Sequence, residues 1–265
     1  MRSPFGVALA LATALTISFL ILPILAIFLD IPPGRLLDGM NDPAAVDALI
    51  VTLKTTLIAN VVILLVGTPA AYLIASRSYR TRSLLVTAIE LPLVLPPAVA
   101  GIGLLGGTLD VLGLSIPFTQ LAVVLAIMFV ASPFYLRAAV SAFESVDPAL
   151  TDAARTLGAG PARTFFRVAL PLASGGLSAG WALSFARGIG EFGATIMFAG
   201  SLQGVTQTLS LAVYEQFDVD FDTALAIGAE LVAVSAFLLL AVKLVPTWTR
   251  SNSQSTTLFA PFGSR

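Results

Sequence analysis

Six long apolar stretches constrain the fold of this chain more than any other feature. They cover residues 6–29, 49–76, 84–108, 117–142, 172–200 and 223–245. The hydrocarbon core of a bilayer is about 30 Å thick, and an α-helix of about 20 apolar residues crosses it because each residue rises about 1.5 Å. We therefore predict an all-α membrane protein with about six transmembrane helices.

The composition agrees with a membrane protein and excludes several classes of function. Hydrophobic residues make up 57% of the chain and charged residues 11%, whereas a soluble domain carries about 25% charged residues. The chain has no Cys and no His, so thiol chemistry, the commonest general base and the usual zinc ligands are missing. A net charge of −1 without a basic run disfavours nucleic acid as a partner. We expect no catalytic residue, no metal and no cofactor.

The distribution of basic residues predicts how the chain is oriented. Loops 30–48, 109–116 and 201–222 together hold one basic residue, Arg35. Eleven others lie before the first span, around the second and fourth loops and towards the end of the chain: Arg2, Arg77, Arg80, Arg82, Arg137, Arg155, Arg163, Arg167, Lys243, Arg250 and Arg265. Because cytoplasmic loops are enriched in Lys and Arg, we predict that both termini are cytoplasmic. The expected location is the inner or plasma membrane.

The long loop between the fourth and fifth spans is polar but prone to form helices. Asp147 and Pro148 can cap and start a helix. A short amphipathic helix over 150–157 would then end at Gly158, which can adopt the left-handed conformation. A second short helix over 161–168 is expected to lead into the fifth span.

A motif in this loop resembles the signature loop of ABC importer permeases. That signature reads Glu-Ala-Ala, three residues, Gly, nine residues, Ile, one residue and Leu-Pro; the segment DAARTLGAGPARTFFRVALP matches it with Asp for Glu and Val for Ile. The matching positions are Asp152, Ala153, Ala154, Gly158, Val168, Leu170 and Pro171. The resemblance implies a type I ABC importer permease fold, in which a coupling loop, here 143–170, docks into a separate ATPase. The alternative is that these small residues only let the loop pack on the helix ends.

The resemblance also implies partners and a domain organisation. It implies ABC ATPase subunits, an extracytoplasmic substrate-binding protein at the outer loop 200–223, and a second permease copy in a homodimer, all within membrane lipid. The chain lacks the phosphate-binding pattern G-x-x-x-x-G-K-[ST], so a partner must hydrolyse ATP. We expect a first transmembrane helix and outer loop at 1–48, a permease domain at 49–250 and a cytoplasmic tail at 251–265.

Three further segments are similar to oxyanion permeases. They are LPLVLPPAVAGIGLL at 91–105, SPFYLRAAVSAFESVD at 132–147 and SFARGIGEFGATIMFAGSLQGVTQTLSLAVY at 184–214. The resemblance is closest to molybdate permeases and implies inward transport of molybdate by alternating access, with tungstate or sulfate as alternatives. An ion-driven secondary transporter is the alternative class, because such proteins also have broken helices and charges near mid-membrane.

Arg187 and Glu191 are the charged pair that we expect in mid-span. They are four residues apart, which places them on one face of a helix. A charge at membrane depth costs about 3 kcal/mol on insertion scales, so it normally faces a partner or an aqueous cavity. Either Arg187 lines the route of a divalent oxyanion, or the two residues form an internal ion pair that fixes helix packing. Single charges at Lys54, Glu90 and Glu230 rank below this pair.

Prolines predict a break in the third span. Pro92, Pro96 and Pro97 precede Gly101 and Gly103, and breaks at membrane depth are tolerated where the freed backbone groups face protein or a water-filled cavity. Exposed N–H groups near the two glycines would then bind an oxyanion. The alternative is a kink that serves packing alone.

Overall fold

The computed structural model describes residues 4–106 and 116–250, and helices form nearly all of this part. They are α1 (Pro4–Leu29), α2 (Pro33–Met40), α3 (Pro43–Ala75), α4 (Tyr79–Val94), α5 (Pro97–Gly106), α6 (Gln120–Glu144), α7 (Pro148–Thr156), α8 (Pro161–Thr164), a π-helical turn (Phe165–Ala169), α9 (Leu170–Ile189), α10 (Gly193–Ala199), α11 (Leu209–Phe217) and α12 (Phe221–Arg250). No strand occurs in these two ranges. The predicted tail 251–265 and most of the predicted loop 109–116 lie outside the described residues.

The prediction of about six spans is confirmed. By length and composition, five helical segments in the described ranges can cross a membrane: α1, α3, α6, the continuous segment Pro161–Ile189 and the Phe221–Ala241 part of α12. The pair α4 and α5, which are bent by 102° from one another, brings the number to six if it is counted as one broken span. The end of the bundle that carries α7 is called the α7 end below, and the end that carries α2 is called the α2 end.

Two adjacent prolines place the bend in the third span. Leu95, which precedes Pro96, has an extended backbone with φ −73° and ψ 131°, because a residue before proline is driven out of the helical region. Pro97 then starts α5. Pro92 lies inside α4, so the predicted break is confirmed at Pro96 and Pro97, and the prediction was wrong for Pro92.

Small residues bring α9 against α6. A Cβ atom added to Gly176 would lie 2.5 Å from the Cβ of Ala142, and one added to Gly180 would lie 2.7 Å from the Cβ of Ala138. Four-residue spacing puts both glycines on one face of α9. Gly188 continues this face, with 3.0 Å from its added Cβ to a side-chain carbon of α6. The two backbones therefore approach closely, as small residues allow in membranes.

The α3 helix completes the core on the other side of α6. A Cβ added to Gly67 would lie 3.1 Å from the ring of Tyr135, and the hydroxyls of Tyr135 and Thr68 are 2.5 Å apart. Tyr135 is 1% exposed. The buried core therefore lies between α3, α6 and α9.

The predicted outer loop 30–48 contains a helix that packs on α12. A Cβ added to Gly39 of α2 would lie 2.5 Å from the Cβ of Ala226, and Arg35 forms an ion pair with Asp222. Asp220 precedes α12 and accepts hydrogen bonds from the hydroxyl and backbone N–H of Thr223, which lower the pKa of Asp220 below its ordinary value. The α2 end is thus structured by contacts between α2 and α12.

Candidate functional site

The α7 helix has the start and the end that the sequence predicts. The Asp147 Oδ1 atom accepts a hydrogen bond from the backbone N–H of Ala149 at 2.9 Å, and Pro148 occupies the first helical position. Gly158 has φ 84°, and the backbone N–H of Ala159 donates to the carbonyl of Ala154 at 3.0 Å. This is the left-handed helix end that glycine favours. The prediction of a short helix ended by Gly158 is confirmed.

The predicted second short helix joins the fifth span without a break. From Pro161 to Ile189 the chain is one helical segment. Inside it, the backbone N–H of Leu170 donates to the carbonyl of Phe165, five residues back. Pro171 has no N–H to donate, so the regular ladder is interrupted there and a wider π-helical turn accommodates the gap. The α7 end is therefore connected directly to α9.

The seven signature positions differ in their exposure. Four are exposed and three are half-buried; the exposed ones are Asp152, Ala153, Gly158 and Pro171, and the half-buried ones are Ala154, Val168 and Leu170. Next to them Leu157 is 88% exposed, and Leu150 is 48% exposed. Among the described residues, Leu157 is thus a largely exposed apolar side chain at the tip of a short polar helix, which is the geometry of a contact point for a partner.

An aromatic cluster fixes the start of the fifth span to the bundle. The ring of Phe165 lies 4.9 Å from that of Tyr72 on α3 and 6.2 Å from that of Phe143 on α6, measured between centroids. Tyr72 and Phe143 are themselves 5.3 Å apart in an edge-on arrangement. Such pairs stabilise beyond simple burial. The cluster therefore joins the start of the fifth span to α3 and α6.

A cavity of about 530 Å³ separates α7 from the ends of α3, α4 and α6. Two ion pairs line it: Arg82 Nε lies 2.6 Å from Glu144 Oε1, and Arg155 Nη1 lies 3.2 Å from Asp152 Oδ1. The first pair joins α4 to the last residue of α6. The second lies within α7, where Asp152 pairs with Arg155 of the same helix.

Arg187 and Glu191 are in contact, but they do not lie on one helix. The α9 helix ends at Ile189 and α10 starts at Gly193, so Glu191 occupies the break and the prediction of a shared helix face was wrong. Three glycines near this point, Gly188, Gly190 and Gly193, disfavour a continuous helix, each by about 1 kcal/mol relative to alanine. The side chain of Glu191 therefore lies at the break between α9 and α10 and not on the face of a continuous helix.

The carboxylate of Glu191 has a partner on each side of the break. Its Oε1 atom accepts a hydrogen bond from the backbone N–H of Ala194 at 2.8 Å, and its Oε2 atom lies 2.7 Å from Arg187 Nη1. The Glu191 side chain is 1% exposed, whereas that of Arg187 is 29% exposed. This geometry favours the internal ion pair, while Arg187 retains access to the surroundings of the chain.

The broken halves of the third and fifth spans pack on each other. A Cβ added to Gly101 of α5 would lie 2.6 Å from the carbonyl oxygen of Ala194, and one added to Gly193 would lie 3.1 Å from the Cβ of Pro97. Around Gly103 no atom of the described residues lies within 4 Å of an added Cβ. Both α5 glycines follow the first turn, where backbone N–H groups donate within the helix. Gly101 therefore serves close packing between α5 and α10, whereas Gly103 makes no such contact with the described part of the chain.

The single charges predicted in the spans have different surroundings. Lys54 Nζ donates to Gln120 Oε1 on α6 at 2.8 Å, and Glu90 Oε1 lies 3.3 Å from Arg137 Nε. Glu230 is 3% exposed, and its Oε2 atom has no hydrogen-bond partner among the described residues. Lys54 and Glu90 thus tie neighbouring spans together.

The sequence reasoning missed a buried polar face on α3. Thr52, Thr56 and Asn60 are each at most 1% exposed, and their four-residue spacing places them on one face. The hydroxyl oxygen of Thr52 accepts a hydrogen bond from the backbone N–H of Leu209, at the start of α11, at 2.8 Å. The regular spacing was the signal that could have revealed this contact between α3 and α11.

Comparison with known proteins finds permeases. Residues 63–250 match the family described as binding-protein-dependent transport system inner membrane component. The molybdenum transport system permease protein ModB of Mycobacterium tuberculosis is 41% identical over 236 residues, which cover 85% of this chain and 89% of that protein. The probable transport system permease protein NifC of Clostridium pasteurianum is 34% identical and covers 88% and 85%. The sulfate transport system permease protein CysT of Salmonella typhimurium is 32% identical and covers 89% and 91%.

Solved structures share the arrangement of helices. A chain of a bacterial ABC transporter involved in the import of the acidic polysaccharide alginate has a TM-score of 0.69 at 17% identity, covering 91% of this chain and 94% of that one. A chain of the MetNI methionine ABC transporter in an inward-facing conformation has a TM-score of 0.61 at 20% identity, covering 76% and 93%. At these identities the likeness shows a common fold.

Proposed function

Because the chain belongs to the binding-protein-dependent transport system inner membrane component family, as an ABC importer permease of the molybdate and sulfate group, we propose that it carries molybdate inward. The type I ABC importer permease fold predicted from the sequence is confirmed. The protein is a multi-pass permease of the inner membrane, and ATP is hydrolysed on a separate subunit. The substrate, the coupling residues and the pathway are the proposed parts.

The choice of molybdate rests on relative similarity within the group. The ModB relative is 41% identical over 85% of this chain, and the sulfate permease relative is 32% identical over 89%. This difference over nearly the same length is the observation that carries the proposal. Tungstate and sulfate are the alternative substrates.

The exposed tip of α7 is the proposed contact with the ATPase. Asp152, Ala153, Ala154 and Gly158 shape a short helix with a tight reversal, and Leu157 projects from its end with 88% of its surface exposed. Val168, Leu170 and Pro171 lie where the segment enters the fifth span. Closure of the ATPase would push α7 and, through it, the bundle.

The fifth span is suited to carry this motion across the membrane. The segment Pro161–Ile189 has 29 residues without a break, a length of about 44 Å at about 1.5 Å per residue. It begins beside α7 and ends next to Arg187. Movement at the α7 end is therefore transmitted to Arg187 and Glu191 through one continuous helical segment, as alternating access requires.

Arg187 is the proposed contact for the oxyanion, and Glu191 positions it. The guanidinium of Arg187 is partly exposed, while the carboxylate of Glu191 is buried and already occupied by Arg187 and Ala194. A cation whose charge is partly balanced binds an anion weakly, and weak binding permits release during transport. On the third span, Gly103 faces the proposed pathway and Gly101 holds α5 to α10.

The proposed assembly contains two copies of this chain, ATPase subunits at the α7 end and a substrate-binding protein at the α2 end. In this arrangement both termini and the coupling loop 143–170 are cytoplasmic, and the segment 200–223 faces the binding protein. Residues 49–250 form the transport domain, 1–48 add the first span and outer segment, and 251–265 form the tail. Membrane lipid surrounds α1, whose described side chains are largely exposed.

Reconstitution tests the proposed function directly. The chain would be purified with an ABC ATPase and a substrate-binding protein, placed in proteoliposomes, and assayed for uptake of labelled molybdate, with sulfate and tungstate as competitors. We expect uptake that requires the ATPase and hydrolysable ATP and that tungstate inhibits more strongly than sulfate. A non-hydrolysable ATP analogue is the control. Uptake driven by an ion gradient without the ATPase would identify a secondary transporter, and equal transport of sulfate would contradict the choice of molybdate.

A further inference from the structure

The α4 helix is attached to the bundle in an unusual way. None of its residues is buried, although it packs on α6 and, less extensively, on α3. The extended backbone at Leu95 and the 102° bend separate it from α5. By contrast, α5 is held by close packing at Gly101. The inner half of the third span therefore needs another means of attachment.

Two ion pairs of opposite polarity supply this attachment. Arg82 of α4 lies 2.6 Å from Glu144 of α6, measured from Nε to Oε1. Two turns further along α4, Glu90 Oε1 lies 3.3 Å from Arg137 Nε of α6. The α4 helix thus presents a cation and then an anion, and the antiparallel α6 presents the matching anion and cation.

The exchanged signs fix the register between the two helices. The paired residues are eight apart on α4 and seven apart on α6, or about 12 Å and 10.5 Å along the axes. If α4 slid along α6 by two turns, either Glu90 would face Glu144 or Arg82 would face Arg137. Like charges would then oppose each other. Only the observed register satisfies both pairs.

The first pair is close to the coupling segment. Glu144 is the last residue of α6, and α7 begins at Pro148. The cavity of about 530 Å³ beside α7 is lined by Arg82 and Glu144 together with Asp152 and Arg155 of α7. A displacement of α7 therefore acts at the point where α4 is bound to α6.

We propose that Arg82, Glu144, Glu90 and Arg137 are positioning residues that make α4 move as one body with α6, so that the ATPase stroke reaches the bent third span. This inference rests on the proposed ATP-driven transport. The pairs hold a helix that has no fully buried residue, and they do so at the end of the bundle where the stroke enters. Without them, ATP hydrolysis would proceed while α4 lagged behind.

Charge reversal and charge exchange test the proposal in the reconstituted complex. Arg82→Glu and Glu144→Arg are each expected to lower molybdate uptake per ATP hydrolysed by about fivefold or more, and the double exchange Arg82→Glu with Glu144→Arg is expected to recover most of it. Arg80→Glu is the matched control, because Arg80 is an exposed α4 cation without an ion pair among the described residues. The second pair is treated in the same way with Glu90→Arg and Arg137→Glu. Single variants that pump as the control does, or an exchange no better than the singles, would overturn the proposal.

A cross-link provides a second test that does not depend on the ion pairs. The chain has no Cys of its own, and Ser83 and Ser141 line a cavity of about 340 Å³ between α4 and α6. Ser83→Cys and Ser141→Cys in one chain can be joined with a short thiol-reactive linker. If α4 and α6 move together, bridged complexes keep ATP-dependent uptake within about twofold of unbridged ones. Loss of uptake on bridging would show that α4 must slide on α6. A wild-type complex without any ATP-dependent uptake would instead reject the proposed function.

Discussion

Arg187 Nη1 lies 2.7 Å from Glu191 Oε2 at the break in the fifth span, and the other carboxylate oxygen accepts a hydrogen bond from the backbone N–H of Ala194 in the short helix that follows. The pair therefore joins two helical segments that the backbone does not hold in line. The sequence left open whether this pair lines a pathway or fixes helix packing. In the structure, Glu191 belongs to the scaffold. Arg187 is the one member of the pair with substantial exposure.

The first prediction separates the structural from the transport role of this pair. Arg187→Gln leaves a buried carboxylate unpaired and is expected to lower the stability of the complex by about 3 kcal/mol. The double variant Arg187→Gln with Glu191→Gln removes both charges and should lose less stability. Thermal unfolding of the detergent-solubilised complex measures this difference.

Uptake measured in the same double variant tests the contact with the oxyanion. A folded complex that no longer takes up molybdate is expected, because the anion then meets no cation at this depth. Arg187→Lys is the control that keeps the charge. Normal uptake by the double variant would remove Arg187 from the pathway.

The second prediction concerns the close contact between α5 and α10. Gly101→Val would drive a side chain into the carbonyl of Ala194, where the added Cβ alone lies at 2.6 Å, so we expect a loss of about 1–3 kcal/mol in stability. Gly103→Val is the matched control on the same helix, since none of the residues that the structure describes lies within 4 Å of its added Cβ. Thermal unfolding should distinguish the two variants.

Transport by the Gly103→Val variant tests a separate expectation. If this position lines the pathway, the variant folds normally and takes up less molybdate. Unchanged uptake would place Gly103 away from the substrate.

The third prediction concerns the end of α7. Gly158 has φ 84°, so Gly158→Ala is strained by about 1 kcal/mol and should weaken ATPase binding by about fivefold. Gly158→Asn should bind more tightly than the alanine variant, because Asn tolerates this conformation better. Gly160→Ala serves as the control, since Gly160 has φ −67°. Binding of the purified ATPase to the solubilised permease gives the comparison, and equal affinities for both alanine variants would contradict the role of the turn.

The fourth prediction concerns the start of α7. Asp147→Ala removes the acceptor for the backbone N–H of Ala149 and should destabilise α7 by about 1 kcal/mol. Because the helix must be formed to dock, ATP hydrolysis coupled to uptake should fall, while Asp147→Asn should retain most of it. Stimulation of ATPase activity by molybdate-loaded binding protein is the measurement. A loss as large in the asparagine variant would assign Asp147 a role other than capping.

Much of the fold follows from local features of the sequence. The apolar stretches predict the spans because lipid demands about 20 apolar residues in a row, and Asp147, Pro148 and Gly158 predict α7 because each acts on the backbone within a few residues of its own position. The bend at Pro96 follows for the same reason. These features need no knowledge of distant contacts.

The missed features depend on contacts that form only in the folded chain. The break at Glu191 needs Arg187 and Ala194 as partners, and the close approach of Gly176 and Gly180 needs the small side chains of Ala142 and Ala138 on α6. The helix α2 was placed in a loop because its packing surface lies on α12. For the pathway, the sequence gives charged and small residues but cannot say which of them already have partners within the chain.

The contact between the two short half-helices has a consequence for sequence variation. Gly101 meets Ala194, and Gly193 meets Pro97, so each half-helix limits the size of the residue opposite it. Homologues with a bulkier residue at one of these positions should show a compensating change at the opposite one, because contacting positions co-vary. The two interrupted spans would then diversify as a matched pair, more slowly than the lipid-facing surface of α1.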